Sequence, residues 1–379
     1  MGERELPEGW EWKRLGEAAD INMGQSPSGT SYNENGNGTP FLQGNAEFGD
    51  TFPKHKKFTT EPSKIASKGS VLISVRAPVG DTNIADLNYC IGRGLASISL
   101  KNGDNKYLLY LLRSMKPMIE AKGTGSTFKA ISKSIINEIE IPLPPLRIQR
   151  QIVAVLEKVE AVKRQRQEAD ALTGVLLQSV FLEMFGDPVR NEKGWEWKKL
   201  GGISDIIMGQ SPPGTSYNNE GIGTPFLQGN AEFGERFPCH NKFTTESSKI
   251  APRGSVLISV RAPVGDINIA NIDYCIGRGL ASISLEDGDN LYLYFFLQHT
   301  KSRIQEKSTG SVFKAISKSI IHAINVPLPP LHLQHKFASI VKEIESISQI
   351  QKKSYLEIKN LSEMLSQKAF NGELGILSK

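Results

Sequence analysis

Short apolar runs separated by Gly, Pro, Asn and Ser alternate along this chain with two long stretches that follow a seven-residue beat. The first texture is that of strands joined by tight turns, and it predicts strands over 71–75 and 95–100. Residues 107–112 and 132–136 are predicted to be helical. The strand-rich texture ends twice at a proline hinge, Pro142-Leu143-Pro144-Pro145 and Pro327-Leu328-Pro329-Pro330. Proline cannot continue a helix but can open one. From Leu146 to Phe185 the heptads place Ile152, Val159, Arg166, Thr173 and Val180 at one core position and Val155, Val162, Ala169 and Leu176 at the other. From Leu331 to Phe370 the same template gives Phe337, Ile344, Gln351, Ile358 and Leu365, alternating with Ile340, Ile347 and Leu361. Each stretch predicts a helix about 60 Å long at 1.5 Å per residue, and each helix is the other's obvious partner. Because the chain returns through a globular domain between them, an antiparallel pair is the expected arrangement.

The two strand-rich regions are copies of each other at an offset of 185 residues. Gly9-Trp10-Glu11-Trp12-Lys13 returns as Gly194-Trp195-Glu196-Trp197-Lys198, and residues 254–266 repeat 69–81 without a change. Aligned without gaps, 9–145 and 194–330 match at 98 of 137 positions. A period this long is a duplicated domain rather than a solenoid. The predicted organisation is α+β, with two tandem mixed α/β domains (1–145 and 187–330) and an antiparallel pair of long coiled-coil helices (146–186 and 331–379). Such a chain has an approximate two-fold axis, which suits a ligand with its own dyad, and duplex DNA is the outstanding candidate. A purely structural spacer fits the same pattern.

Composition narrows the choice only a little. Of 379 residues 39% are hydrophobic and 22% charged, and the net charge of +5 permits a nucleic-acid partner without requiring one. Cys90, Cys239 and Cys275 form no metal or disulfide framework, so reduced, buried thiols are expected. No apolar run approaches a membrane span, which leads to the expectation of a cytoplasmic protein with no membrane partner.

The order of motifs carries more. In the first copy it runs Gly-Trp-Glu-Trp-Lys, Met23-Gly24-Gln25-Ser26-Pro27, Thr39-Pro40-Phe41-Leu42-Gln43-Gly44-Asn45, and Ser74-Val75-Arg76-Ala77-Pro78-Val79-Gly80. Ile91-Gly92-Arg93-Gly94-Leu95, Gly125-Ser126-Thr127-Phe128-Lys129-Ala130-Ile131 and the proline hinge with Gln149 and Ile152 follow. This succession, twice over and across essentially the whole chain, resembles the DNA specificity subunit of type I restriction-modification systems. Ile148-Gln149 and Leu333-Gln334 stand where such subunits often carry Glu-Gln. The resemblance implies two target-recognition domains that bind a split, bipartite site in double-stranded DNA, and the likeness of the two copies leads to the expectation that this site is an interrupted palindrome. It further implies a scaffold for two methyltransferase subunits, joined by restriction subunits, with no catalysis and no cofactor in the chain itself. The absence of an Asn-Pro-Pro-Tyr or Asp-Pro-Pro-Tyr motif and of a phosphate-binding loop agrees. A component of a related restriction-modification system, a stand-alone DNA-binding protein and a protein scaffold are the alternatives.

Base readers should be planar amides, arginines or hydroxyls on loops. Gln25, Tyr32, Gln43, Asn45, Arg76 and Arg93 qualify, with counterparts Gln210, Tyr217, Gln228, Asn230, Arg261 and Arg278. Lys129, Lys133, Lys314 and Lys318 are the expected phosphate contacts, with Lys54, Lys56 and Lys57 as a further cluster. Competing roles are plain. Arg76 and Arg93 could pair internally with Asp81 or Glu47, and Gln43 and Asn45 could cap turns. Trp10 and Trp12 suit a core or helix-docking patch better than base stacking. His332 and His335, with His322 nearby, lack the carboxylate or cysteine partners of a metal site. Arg166 and Gln351, 185 residues apart in otherwise aliphatic seams, are expected to set the register of the helix pair.

Overall fold

The computed structural model describes residues 6–125, 129–308 and 315–374. The chain divides into two compact units, residues 1–167 with 353–379 and residues 168–352. The first copy runs β1 (Glu11–Arg14), α1 (Leu15–Ala18), β2 (Ala19–Met23), β3 (Tyr32–Asn33), β4 (Thr39–Leu42), β5 (Lys57–Thr59), β6 (Ile65–Ala66), β7 (Val71–Ser74), β8 (Thr82–Ile84), β9 (Tyr89–Ile91), β10 (Leu95–Leu100), α2 (Asn105–Ser114), α3 (Lys116–Ala121), α4 (Lys133–Asn137) and β11 (Glu140–Leu143). A 40-residue helix, α5 (Leu146–Phe185), leads into the second copy, whose helices are α6 (Asn290–His299), α7 (Lys301–Glu306) and α8 (Lys318–His322). A second 40-residue helix, α9 (Leu331–Phe370), follows.

In the first unit a five-stranded sheet has the order β3-β5-β4-β9-β6, with β4 and β9 parallel. A four-stranded antiparallel sheet has the order β2-β10-β7-β8, and β1 pairs with β11. The unbroken apolar run of β7 has a simple cause. Val71 and Ile73 enter the main core with α2, while Leu72 enters a second core with Leu42, Tyr89 and Ile91. A strand covered on both faces has no polar alternation to show. The Asp104 carboxylate caps α2 by accepting from the backbone of Lys106 and Tyr107. The second unit repeats the three sheets with the same strand order.

Each unit also takes up parts of both long helices. In the first, Ile148, Ile152, Val153 and Leu156 from the start of α5 share a core with Ala369 and Phe370 from the end of α9. Further along, the Gln167 amide donates to the Tyr355 hydroxyl at 2.9 Å, so the segments run antiparallel. In the second unit Phe181 and Phe185 of α5 pack on Phe337 of α9, and Ser348 meets Asp170 at 3.3 Å, again antiparallel.

The heptad seam needs one correction. Ile152, Val159, Arg166, Thr173 and Val180 stay covered, but Val162 and Leu176 are exposed, as are Ile347 and Leu361 on α9. Val155 and Ala169 are half-buried, but the position covered without a break lies four residues after the first, at Leu156, Lys163, Asp170, Leu177 and Met184. On α9 it falls at Val341, Ser348, Tyr355, Ser362 and Ala369. Polar residues occupy half of it, so counting apolar residues favours the wrong spacing. Cys90 and Cys275 are buried, whereas Cys239 is exposed, against expectation. Trp12 and Trp197 are also exposed, and only Trp10 of the first pair packs on the core.

Gln149 fastens the first domain to its helix. Its Oε1 accepts from the Asp104 backbone at 2.8 Å, and its Nε2 donates to the Pro144 carbonyl at 2.8 Å. Gln334 repeats both bonds with Asp289 and Pro329. Both glutamines are 1% exposed. Gln149→Leu strands two buried polar groups, so it is expected to destabilise the first unit by about 1–3 kcal/mol. Urea unfolding followed by amide hydrogen exchange measures this, and a change below about 0.5 kcal/mol would contradict the clamp.

Candidate nucleic-acid interface

The strand order brings four segments of the first copy side by side. The turn Gly92-Arg93-Gly94 joins β9 to β10, and the segments after β2 and β4 pack against it. Gly24 and Gln25 donate backbone hydrogen bonds to Leu95 and Ile91, each at 2.9 Å, and Gly92 donates to Leu42 at 2.7 Å. Val75 donates to Gly94 at 2.9 Å, and Ile131 donates to Val75 at 3.0 Å. The contacts are closer than side chains permit. A Cβ on Gly24 would lie 2.2 Å from the Gly92 carbonyl oxygen, and one on Gly94 would lie 2.6 Å from that of Gln43. Only glycine allows such an approach. Gln25, Gln43, Arg76 and Arg93 therefore project from one edge of the domain, and all four are exposed.

The second copy builds the same edge. Gly209 and Gln210 donate to Leu280 and Ile276, Gly277 to Leu227, and Val260 to Gly279, all at 2.8–2.9 Å. Gln210, Gln228, Arg261 and Arg278 are exposed there. Among the described residues none of the four arginines has an ion pair. The acids considered for them are engaged elsewhere. Asp81 pairs with Lys116, and Glu47 accepts from the Gly44 backbone at 3.1 Å.

Two of the candidate readers in each copy also make contacts within the fold. Tyr32 stacks on Phe41 with centroids 4.9 Å apart, and its hydroxyl donates to Pro27 at 3.0 Å. Tyr217 does the same with Phe226 and Pro212. The Asn45 amide donates to Asp81 at 2.7 Å and that of Asn230 to Asp266 at 2.6 Å. Lys129, Lys133 and Lys318 are exposed, and Lys314 lies outside the described residues. In the Lys54–Lys57 segment the His55 Nδ1 lies 3.4 Å from the Tyr89 hydroxyl, which donates to Asp86. Burial and that carboxylate push the Tyr89 phenol well above its ordinary range. Arg166 and Gln351 are half-buried on α5 and α9, and the Gln351 Oε1 is shielded from solvent with no hydrogen-bond partner among the described residues.

Sequence reasoning passed over Lys116. Over 111–120 only Leu112, Lys116 and Ile119 match their counterparts in the second copy. The two apolar matches are fully buried, while the lysine is matched because it holds Asp81, as Lys301 holds Asp266 at 2.5 Å. An identity inside a divergent stretch was the available signal.

Residues 7–171 and again 192–360 match the type I restriction modification DNA specificity domain. The chain belongs to that family. It is 34% identical over 308 residues to the type I restriction enzyme MjaX specificity subunit of Methanocaldococcus jannaschii, covering 75% of this chain and 72% of that one. The MjaIX specificity subunit of the same organism is 24% identical, covering 98% of this chain and 95% of that one. A chain from a solved structure concerned with complex assembly and conformational transition of the type I R-M system is 30% identical, covering 98% and 100% of the two chains with a TM-score of 0.71. The HsdS subunit of Thermoanaerobacter tengcongensis is 31% identical, covering 98% and 99% with a TM-score of 0.51. This protein is a specificity subunit, the non-catalytic DNA-recognition component of a type I system. Among the described residues no helix is long and apolar enough to cross a membrane.

Proposed function

We propose that the chain reads a bipartite DNA site, one half with each domain, and carries two methyltransferase subunits on its long helices. The observation that supports this most is the duplicated edge. Two exposed amides and two exposed guanidiniums stand on the same glycine-packed framework in both copies. Arginine pairs bidentately with guanine O6 and N7, and glutamine pairs with adenine N6 and N7 in the major groove. Gln25, Gln43, Arg76 and Arg93, with Gln210, Gln228, Arg261 and Arg278, are the proposed readers, and Tyr32, Asn45, Tyr217 and Asn230 shape the loops behind them. Lys129, Lys133, Lys314 and Lys318 are proposed to meet phosphates. Arg166 and Gln351 are proposed to set helix register.

Because the reading residues are identical in both copies, the two half-sites should be nearly the same. The antiparallel helices expected from the sequence would present them to opposite strands, which makes the composite site an interrupted palindrome. The exposed Val162 and Leu361 in the first unit, and Leu176 and Ile347 in the second, are apolar positions open to the methyltransferase subunits, and restriction subunits would join that complex. The methyl donor, ATP and metal chemistry would reside in those partners, and a cytoplasmic location goes with a duplex DNA partner. Genome-wide mapping of methylated adenines, with the gene present and deleted, tests the reading. One interrupted palindrome that vanishes on deletion is expected. Two unrelated half-sites would mean that positions differing between the copies do the reading, and no change on deletion would remove the DNA role.

A further inference from the structure

We infer that Asp81 and Asp266 are positioning residues that hold the two halves of each reading edge at a fixed separation. The inference rests on the reading just proposed. The loop that presents Arg76 is already closed without the Asp81 side chain. Ser74 donates to the Asp81 carbonyl at 2.8 Å, Gly80 donates to Ser74 at 3.0 Å, and the Ser74 hydroxyl accepts from the Asp81 backbone at 2.8 Å while donating to Pro78 at 2.7 Å. The carboxylate is left to link this loop to others. Its Oδ2 accepts from Asn45, two residues beyond Gln43, at 2.7 Å, and its Oδ1 takes the Lys116 ammonium at the start of α3.

The second copy makes the same three-way tie. Asp266 accepts from Asn230 at 2.6 Å and from Lys301 at 2.5 Å, and Ser259 closes the loop through the same four bonds. Each oxygen of each carboxylate has its own cationic or amide donor, which makes these bonds stronger than neutral ones. The side chains of Asp81 and Asp266 are only 28% and 27% exposed. Lys116 and Lys301 match although their surroundings have diverged, as a shared polar duty requires. A guanidinium and an amide on separate loops read neighbouring base edges only if their spacing is held, and the carboxylate is the side-chain link between those loops.

The test uses the full chain copurified with its methyltransferase subunits. The probes are a duplex carrying the mapped site, the same duplex with one half-site altered, and one lacking the site. The readout is the affinity ratio between the intact and half-altered duplexes. Asp81→Ala alone is expected to cut that ratio about tenfold, the worth of roughly one base contact. With a palindromic site the unaltered domain can always occupy the intact half, so the altered half ceases to matter. Affinity for the duplex lacking the site should stay unchanged, whereas an unfolded domain would lower it. Exchanging the pair, Asn45→Asp with Asp81→Asn, restores a bond between the loops and should recover the ratio. If Asp81→Ala does not fold, the isosteric Asp81→Asn takes its place. A ratio within twofold of the parent for Asp81→Ala, or no recovery in the exchanged pair, overturns the inference when Arg93→Ala lowers the ratio. An unchanged ratio for Arg93→Ala overturns the reading itself.

Discussion

Replacing Phe181 with alanine is expected to destabilise the second unit by about 3–5 kcal/mol, the range for emptying a buried aromatic site. The Phe181 side chain is fully buried at the junction of three helices. Its ring lies 4.9 Å from His299, 5.1 Å from Phe185, 5.5 Å from Phe337, 5.7 Å from Tyr292 and 6.1 Å from Phe295, centroid to centroid. Each aromatic pair adds about 0.5–1.5 kcal/mol beyond the area buried, and the surrounding rings are too rigid to collapse into the space. Among the described residues no equivalent cluster occurs in the first unit, where Ser366 and Ile152 stand at the positions corresponding to Phe181 and Phe337. The loss should therefore be local. Hydrogen exchange is expected to show faster opening for residues of α6 and little change for those of α2. A uniform change across both units, or a loss below about 1 kcal/mol, would contradict this account.

The double variant Arg93→Ala with Arg278→Ala is expected to lower affinity for the cognate site by about 2–6 kcal/mol, since each lost base contact costs about 1–3 kcal/mol. Both arginines are exposed on the glycine turn at the centre of their edges, with backbone nitrogens 3.5 Å from the hydroxyls of Ser26 and Ser211. Base contact and phosphate contact have different salt signatures. If the guanidiniums read bases, affinity for non-specific DNA and the slope of log K against log salt should hold nearly constant. If they met phosphates, the slope would fall by about one for each arginine and affinity would drop on every sequence. Titration of cognate and unrelated duplexes over a range of salt separates the two outcomes. An undiminished preference for the cognate duplex would remove these arginines from the reading edge.

The sequence by itself determined the large-scale plan. Matches at 98 of 137 positions between 9–145 and 194–330 mean alike backbones, and the change of period after each proline hinge marks where strands give way to a long helix. These features are legible because they are local: a period of two or of about 3.6 residues follows from backbone geometry wherever one face is buried. The glycines of the reading edge were visible as motifs, but their duty, letting backbone carbonyl oxygens of neighbouring segments approach where a Cβ would stand, was not. Which spacing the helix seam uses was decided in three dimensions. Lys163, Asp170, Ser348 and Tyr355 lie on the covered face, where Asp170 accepts from Ser348 and Tyr355 from Gln167. For Asp170, Ser348 and Tyr355 the cost of burial is offset by partners that no local pattern reveals.

Partner choice across long sequence separations was likewise settled only by the fold. Glu160 and its counterpart Glu345 both anchor a domain to its helix, yet Arg113 of α2 supplies the cation in the first unit and Arg236 of a loop in the second. Asp81 takes Lys116 and Asn45 rather than the nearby arginines, leaving Arg76 and Arg93 directed outward. A charged side chain pairs with whichever opposite charge the packed chain brings within about 4 Å, and that distance is a property of the tertiary structure alone.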